Sequence, residues 1–170
     1  LSVALLQTNV AQDEKWQPGR FADWLDLNYT LVERQNGARL IVLPETSLPM
    51  LADQLPEGYI DALRQGVLRR GADLIVGVFT REGRAIHNSA VLFGASPDQA
   101  YHKRHLVPFG EYSPPMFGWF FELMNIPMAD QTRGAPKQAP LEVDGQKIAV
   151  NICYEDVFGE ELLSALPEAS

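Results

Sequence analysis

An α/β fold built on a mixed sheet is predicted by three patterns in this 170-residue chain. Apolar runs of strand length alternate with stretches of helical spacing through the first eighty residues. The connections then shrink to hairpin length, as in antiparallel pairing. A proline-broken apolar segment finally separates these elements from a last hairpin signal and the chain's single cysteine.

Val3–Gln7 opens the chain as an apolar strand. After the Pro18-Gly19 break, Phe21, Trp24, Leu25, Leu31 and Val32 recur at helical spacing. Arg39–Leu43 follows as a continuous apolar strand that stops at Pro44. Ile60, Leu63, Val67 and Leu68 mark one face of a second helix, which leads through Gly71 into a strand at Asp73–Phe79. Ile86–Phe93 and Gln99–Lys103 are predicted as short strands because Arg81-Glu-Gly-Arg84 and Gly94-Ala-Ser-Pro-Asp98 are turn-rich and brief. The Asp144-Gly145 pair joins two further strands, Pro140–Val143 and Gln146–Tyr154. Between them, Arg104–Pro140 carries six prolines among Phe109, Phe117, Trp119, Phe120 and Phe121, with a short helix expected at Pro115–Leu123. A long apolar loop of this kind is either a functional lid or a segment packed on the core.

A chain 46% apolar and 21% charged can bury one sizeable core, so a single domain is expected. The net charge of -8 and the lack of a basic run argue against nucleic acid as a partner. One cysteine cannot form an intramolecular disulfide. No stretch reaches the roughly 20 apolar residues of a membrane helix. The chain begins inside a strand and ends after a helix-like stretch at Glu160–Leu166, where the alternating pattern calls for another strand. We therefore read it as part of a longer domain.

Cys153 lies in Lys147-Ile-Ala-Val-Asn-Ile-Cys-Tyr-Glu-Asp156, where an apolar strand gives way to acidic residues. Position alone admits a small buried hydrophobe or a reactive thiol whose pKa is lowered by a helix start and nearby cations. Glu45 follows the strand that ends at Leu43, and Lys103 ends the strand that begins at Gln99. If the strands share a sheet, carboxylate, ammonium and thiol converge as base, cation and nucleophile. Taken singly, Glu45 reads as a solvated cap and Lys103 as a surface charge. His87, His102 and His105 show no ligand grouping, and no glycine loop suggests a nucleotide, so neither metal nor cofactor is expected. Asn28-Tyr-Thr30 spells a glycosylation sequon by chance within a helical pattern.

The local wording is more specific than the residue types. Leu43-Pro-Glu45, Tyr101-His-Lys-Arg-His-Leu106 and Asn151-Ile-Cys-Tyr-Glu155 resemble the nitrilase superfamily in order and separation. Within it, His102-Lys-Arg-His-Leu-Val-Pro-Phe-Gly-Glu-Tyr112 and the opening Gln7-Thr-Asn-Val-Ala-Gln12 with Lys15-Trp16 are similar to the apolipoprotein N-acyltransferase branch. The resemblance covers nearly the whole chain. It implies an α-β-β-α sandwich, here truncated, with Glu45 as general base, Lys103 at the oxyanion and Cys153 as the acylated nucleophile. Glu111, Tyr154 and Glu155 match further active-site positions, and Trp16 matches a substrate-binding one. It also implies a phospholipid acyl donor, a diacylglyceryl-cysteine apolipoprotein as acceptor, and a site on the periplasmic side of a bacterial inner membrane. Membrane helices would flank the domain. A soluble nitrilase-type amidase shares the triad, but the aromatic loop suits an acyl chain better than a small polar amide. A non-catalytic module with a merely buried Cys153 is the remaining alternative.

Overall fold

The computed structural model describes residues 1–108, 110–112 and 130–160. In chain order it contains β1 (Val3–Leu5), α1 (Gln12–Lys15), α2 (Phe21–Glu33), β2 (Leu40–Val42), β3 (Leu48–Leu51), α3 (Tyr59–Leu68), β4 (Asp73–Glu82), β5 (Ala85–Gly94), β6 (Gln99–His102), β7 (Leu141–Val143) and β8 (Gln146–Ile148). The mixed sheet expected from the pattern is present. Its order is β1-β2-β4-β5-β6, with β3 also paired to β4, while β7 and β8 form a separate two-stranded hairpin. β1, β2, β3 and β4 run parallel, and β4, β5 and β6 pair antiparallel.

Strand alternation divides the apolar residues between two faces. Ile41, Leu74, Val76, Val78 and Phe93 point to one side and pack with Leu25 and Val32 of α2 and Leu63 and Val67 of α3. Leu40, Ile75, Ala90 and Leu92 point to the other, where they meet Tyr101, Leu141, Val143 and Ile152. Gathering the apolar spacing of α2 and α3 into a stripe is what lets each helix cover the first face.

β2 and β3 share one edge of β4. The register runs Leu40 to Asp73 and Val42 to Ile75, then resumes at Leu48 to Val78. Between the two pairings the chain leaves the sheet as Pro44-Glu45-Thr46-Ser47, a turn closed by Ser47 N–H donating to the Pro44 carbonyl at 3.2 Å. Gly77 of β4 makes room for this excursion: a Cβ there would lie 2.8 Å from the Glu45 Cα. Asn28 of α2 steadies the exit, its amide donating to the Ser47 carbonyl at 2.8 Å and the Trp24 carbonyl at 2.7 Å. This side chain is 1% exposed, in keeping with the sequon being fortuitous.

Three elements differ from the sequence expectation. The final strand stops at Ile148 instead of running to Tyr154, and Cys153 opens a 3-10 turn, Cys153–Val157. β3 was not expected, because Pro49 interrupts it; an edge strand tolerates proline, and β3 pairs on one side only. The helix expected at Pro115–Leu123 and most of the Glu160–Leu166 stretch lie outside the described residues.

Candidate functional site

Glu45 sits where β2 has ended and β3 has not begun, so its side chain is held by a turn and not by the ladder. Its Oε1 accepts from Lys103 Nζ at 3.0 Å and from Asn88 Nδ2 at 2.8 Å. Lys103 follows β6 directly, and its backbone N–H still donates to the Asn88 carbonyl at 2.8 Å. That bond fixes the lysine backbone against β5 with its side chain 0% exposed. Its ammonium also donates to Glu111 Oε1 at 2.6 Å, and Glu111 Oε2 accepts from the Val107 backbone N–H at 3.0 Å. A buried ammonium is tolerable because two carboxylates surround it. Burial alone would lower the Lys103 pKa; the Glu111 hydrogen bond and the Glu45 charge outweigh it and raise the value above the ordinary lysine range.

Cys153 completes the group. It lines one cavity of about 390 Å³ with Lys15, Trp16, Glu45, Asn88 and Glu111, and Glu45 is the foremost charge acting on its thiol. Its φ of 52° lies in the left-handed region, a conformation non-glycine residues adopt at a cost of roughly 1–2 kcal/mol. The chain enters in extended form through Ile152 and leaves as a 3-10 turn, so the thiol stands at an exposed elbow. The half-buried ring of Tyr154 meets Phe158 edge-on at 5.4 Å. Trp16 is half-buried, its ring 6.1 Å from that of Phe79.

Glu155 does more than its place beside the nucleophile suggested. The carboxylate is buried at 3% exposure. Its Oε2 accepts from Ile152 N–H at 2.7 Å, while Oε1 accepts from Tyr101 Oη at 2.9 Å, Arg104 N–H at 2.7 Å and His105 N–H at 3.3 Å. One side chain thus ties the elbow that carries Cys153 to the segment that carries Lys103.

All seven sequence candidates are therefore accounted for. Glu45, Lys103, Glu111, Cys153 and Trp16 line or build one cavity, Tyr154 follows Cys153 in the 3-10 turn, and Glu155 braces the cavity from below the surface. The thiol differs from expectation in one respect: its pKa is raised, not lowered. Burial is the main cause and the Glu45 charge the next, with Lys103 opposing them. Lys103 shares its charge with two carboxylates, and a 3-10 turn of five residues contributes little helix dipole. The Cys153 side chain therefore rests as a neutral thiol beside the Glu45 carboxylate.

Two contributors went unread in the sequence. Asn88 is 2% exposed and shares its sheet face with Ala90 and Leu92; a polar residue interrupting an inward-facing apolar series was the available signal. Lys15 donates from Nζ to the Glu45 backbone carbonyl at 3.0 Å. In the sequence it stood only as part of the Lys15-Trp16 pair that carries the resemblance, with no role of its own. A second cavity, about 660 Å³ and largely apolar, is lined by Leu5, Val42, Ile75, Ile148 and Val150 and reaches the same Glu45 and Cys153. Among the described residues no group of three or more His, Cys, Asp or Glu is arranged to hold a metal, and no helix is long and apolar enough to cross a membrane.

Comparison with known proteins agrees with this geometry. A sequence model of the family described as carbon-nitrogen hydrolase matches residues 2–169. The chain is 45% identical to an apolipoprotein N-acyltransferase of Nitrosomonas europaea, covering 100% of this chain and 35% of that protein. It is 42% identical to one of Chromobacterium violaceum, covering 99% of this chain and 33% of that protein. It thus spans about a third of the length of these relatives. Among solved structures, a carbon-nitrogen hydrolase from Helicobacter pylori superposes with a TM-score of 0.62 at 16% identity, covering 99% of this chain and 56% of that one. Nit3 of Saccharomyces cerevisiae, a nitrilase-superfamily member, gives 0.59 at 20% identity, covering 99% and 61%. At these identities the structural likeness shows the nitrilase fold.

Proposed function

This chain belongs to the carbon-nitrogen hydrolase family, and from that premise we propose that it carries the acyl-transfer site of an apolipoprotein N-acyltransferase. The observation that carries the proposal is that Cys153 shares a cavity with a Glu45 carboxylate that is itself held by Lys103 and Asn88. The lipoprotein branch is favoured over a small-amide hydrolase by the 45% identity to a relative bearing that name. The apolar cavity meeting Cys153 supports a lipid donor, since an acyl chain needs such a lining. The aromatic loop that first suggested a lipid falls largely outside the described residues. The chain forms part of a nitrilase-like catalytic domain, working on the periplasmic side of the bacterial inner membrane.

In the first half-reaction Glu45 takes the proton of Cys153 Sγ as the sulfur adds to the ester carbonyl of a phospholipid. The C–S bond forms and the carbonyl π pair moves onto oxygen, where the Lys103 ammonium opposes the charge. Collapse breaks the C–O bond, and Glu45 returns its proton to the departing lysophospholipid oxygen. In the second, the α-amine of a diacylglyceryl-cysteine adds to the thioester carbonyl, the C–N bond forms as the C–S bond breaks, and the amine's proton passes through Glu45 to the departing Cys153 sulfur, leaving an amide and a free thiol. A thiol kept neutral until the ester arrives fits a base in the same cavity better than a standing thiolate.

The test is intact-mass analysis of the native-length protein in detergent, incubated with phospholipid. An acyl adduct is expected on Cys153, absent in Cys153→Ser, and formed about 10³-fold more slowly in Glu45→Gln. Persistence of the adduct in Cys153→Ser would overturn the nucleophile, and an undiminished rate in Glu45→Gln the base.

A further inference from the structure

The charges around Cys153 do not balance with the triad alone. Lys103 faces both Glu45 and Glu111, at 3.0 and 2.6 Å, so two carboxylates stand against one ammonium. Proton transfer from Cys153 to Glu45 moves a negative charge onto sulfur and then onto the oxyanion of its adduct, but leaves the excess of one negative charge in place. In a partly dry cavity such an excess is costly, because opposing charges are poorly screened there.

A second cation is present. Lys15 ends α1, is half-buried, and lines the cavity that holds Cys153, Glu45 and Glu111. Its Nζ donates to the Glu45 backbone carbonyl, not to a carboxylate, so its charge is not consumed by an ion pair. The charged groups in and around the cavity are then Glu45 from the β2–β3 turn, Glu111, Lys15 from α1, and Lys103 beyond β6 in contact with both carboxylates, and the Cys153 charge acts on Lys15.

We propose that Lys15 is a positioning residue of the acyl-transfer site: it anchors the Glu45 turn through its carbonyl and supplies the second positive charge that brings the ionised cluster to balance. Lys103, committed to its carboxylates, orients the base, while Lys15 sets how readily the thiol ionises. The role rests on the acyl-transfer reading for its purpose but not for its measurement.

The experiment follows iodoacetamide alkylation of Cys153 against pH by peptide mass spectrometry, in the native-length protein and its Lys15→Met and Lys15→Arg variants. Lys15→Met removes the charge at similar length, and Lys15→Arg keeps it. We expect Lys15→Met to react about threefold or more slowly at neutral pH with its profile displaced to higher pH, and Lys15→Arg to stay within about twofold of the parent. An unmoved profile in Lys15→Met overturns the proposal, as does a Lys15→Arg variant as slow as Lys15→Met. A Lys15→Met variant that fails to fold, judged by thermal melting, also overturns it, since the residue would then be a structural anchor. No lipid enters this assay. A displaced profile beside an absent phospholipid adduct would therefore sink the lipid reading and leave the role of Lys15 standing.

Discussion

The two faces of the central sheet are built from the same strands and do opposite work. On the helix-covered face Val32, Leu63, Val67, Leu74 and Val76 are all 0% exposed, with no charged side chain among them. On the other face Lys103 at 0%, Asn88 at 2% and Glu155 at 3% are as deeply buried, and Leu5 stays 78% exposed beside the apolar cavity. The first face stabilises by removing apolar area from water, which needs no particular geometry beyond packing. The second holds charges that burial would penalise, and it keeps them only because each has partners at hydrogen-bond distance. Stability and reactivity are separated by strand parity: neighbouring residues such as Leu74 and Ile75, or Phe93 and Leu92, serve different faces.

The largest effect that tests this separation comes from the helix-covered face. Leu63→Ala should lower unfolding free energy by about 2–5 kcal/mol, measured by urea denaturation, because a fully buried side chain leaves a cavity. The pH profile of Cys153 alkylation should be unchanged, and a displaced profile would mean that the faces are coupled. Glu155→Gln is expected to cost less, about 2 kcal/mol, since an amide cannot accept from both Ile152 and the Arg104 pair without turning a donor toward one of them. Here acyl transfer should fall even in protein that remains folded, because the link between elbow and lysine is loosened. Equal loss in Leu63→Ala and Glu155→Gln, at matched stability, would erase the distinction.

Tyr101→Phe is the mildest probe, about 1 kcal/mol at neutral pH from the hydrogen bond to Glu155. It also carries a pH signature. Burial, reinforced by the Glu155 charge, pushes the Tyr101 hydroxyl from 10.0 to about 12. A group that holds its proton more tightly when folded stabilises fully below its unfolded value and loses that contribution as pH rises through the folded one. The parent should therefore lose stability between pH 10 and about 12, and Tyr101→Phe should fall less steeply there. Parallel curves from chemical denaturation at stepped pH would show that the folded protein does not hold the Tyr101 proton above its ordinary pKa.

Much of this was legible in the chain itself. Helical spacing located α2 and α3, and continuous apolar runs located β2, β4 and β5, because periodicity is a local consequence of which face is buried. Glu45, Lys103 and Cys153 stood out by residue type and setting, and their wording pointed to a family. β3 escaped notice because its pairing depends on the far half of β4, and proline masked its pattern. The part of Glu155 was equally hidden: three of its four hydrogen bonds reach residues fifty or more positions away.

By itself the sequence determined the α/β alternation and singled out Glu45, Lys103 and Cys153 as candidate base, cation and nucleophile, since each is written in neighbouring residues. Only the tertiary structure decided that the three meet, that the elbow places Cys153 at a φ of 52°, and that its thiol is held neutral and not lowered toward a thiolate. The physical reason is that pKa and contact depend on which distant charges share a cavity and how dry it is, and neither is fixed until the chain has folded around it.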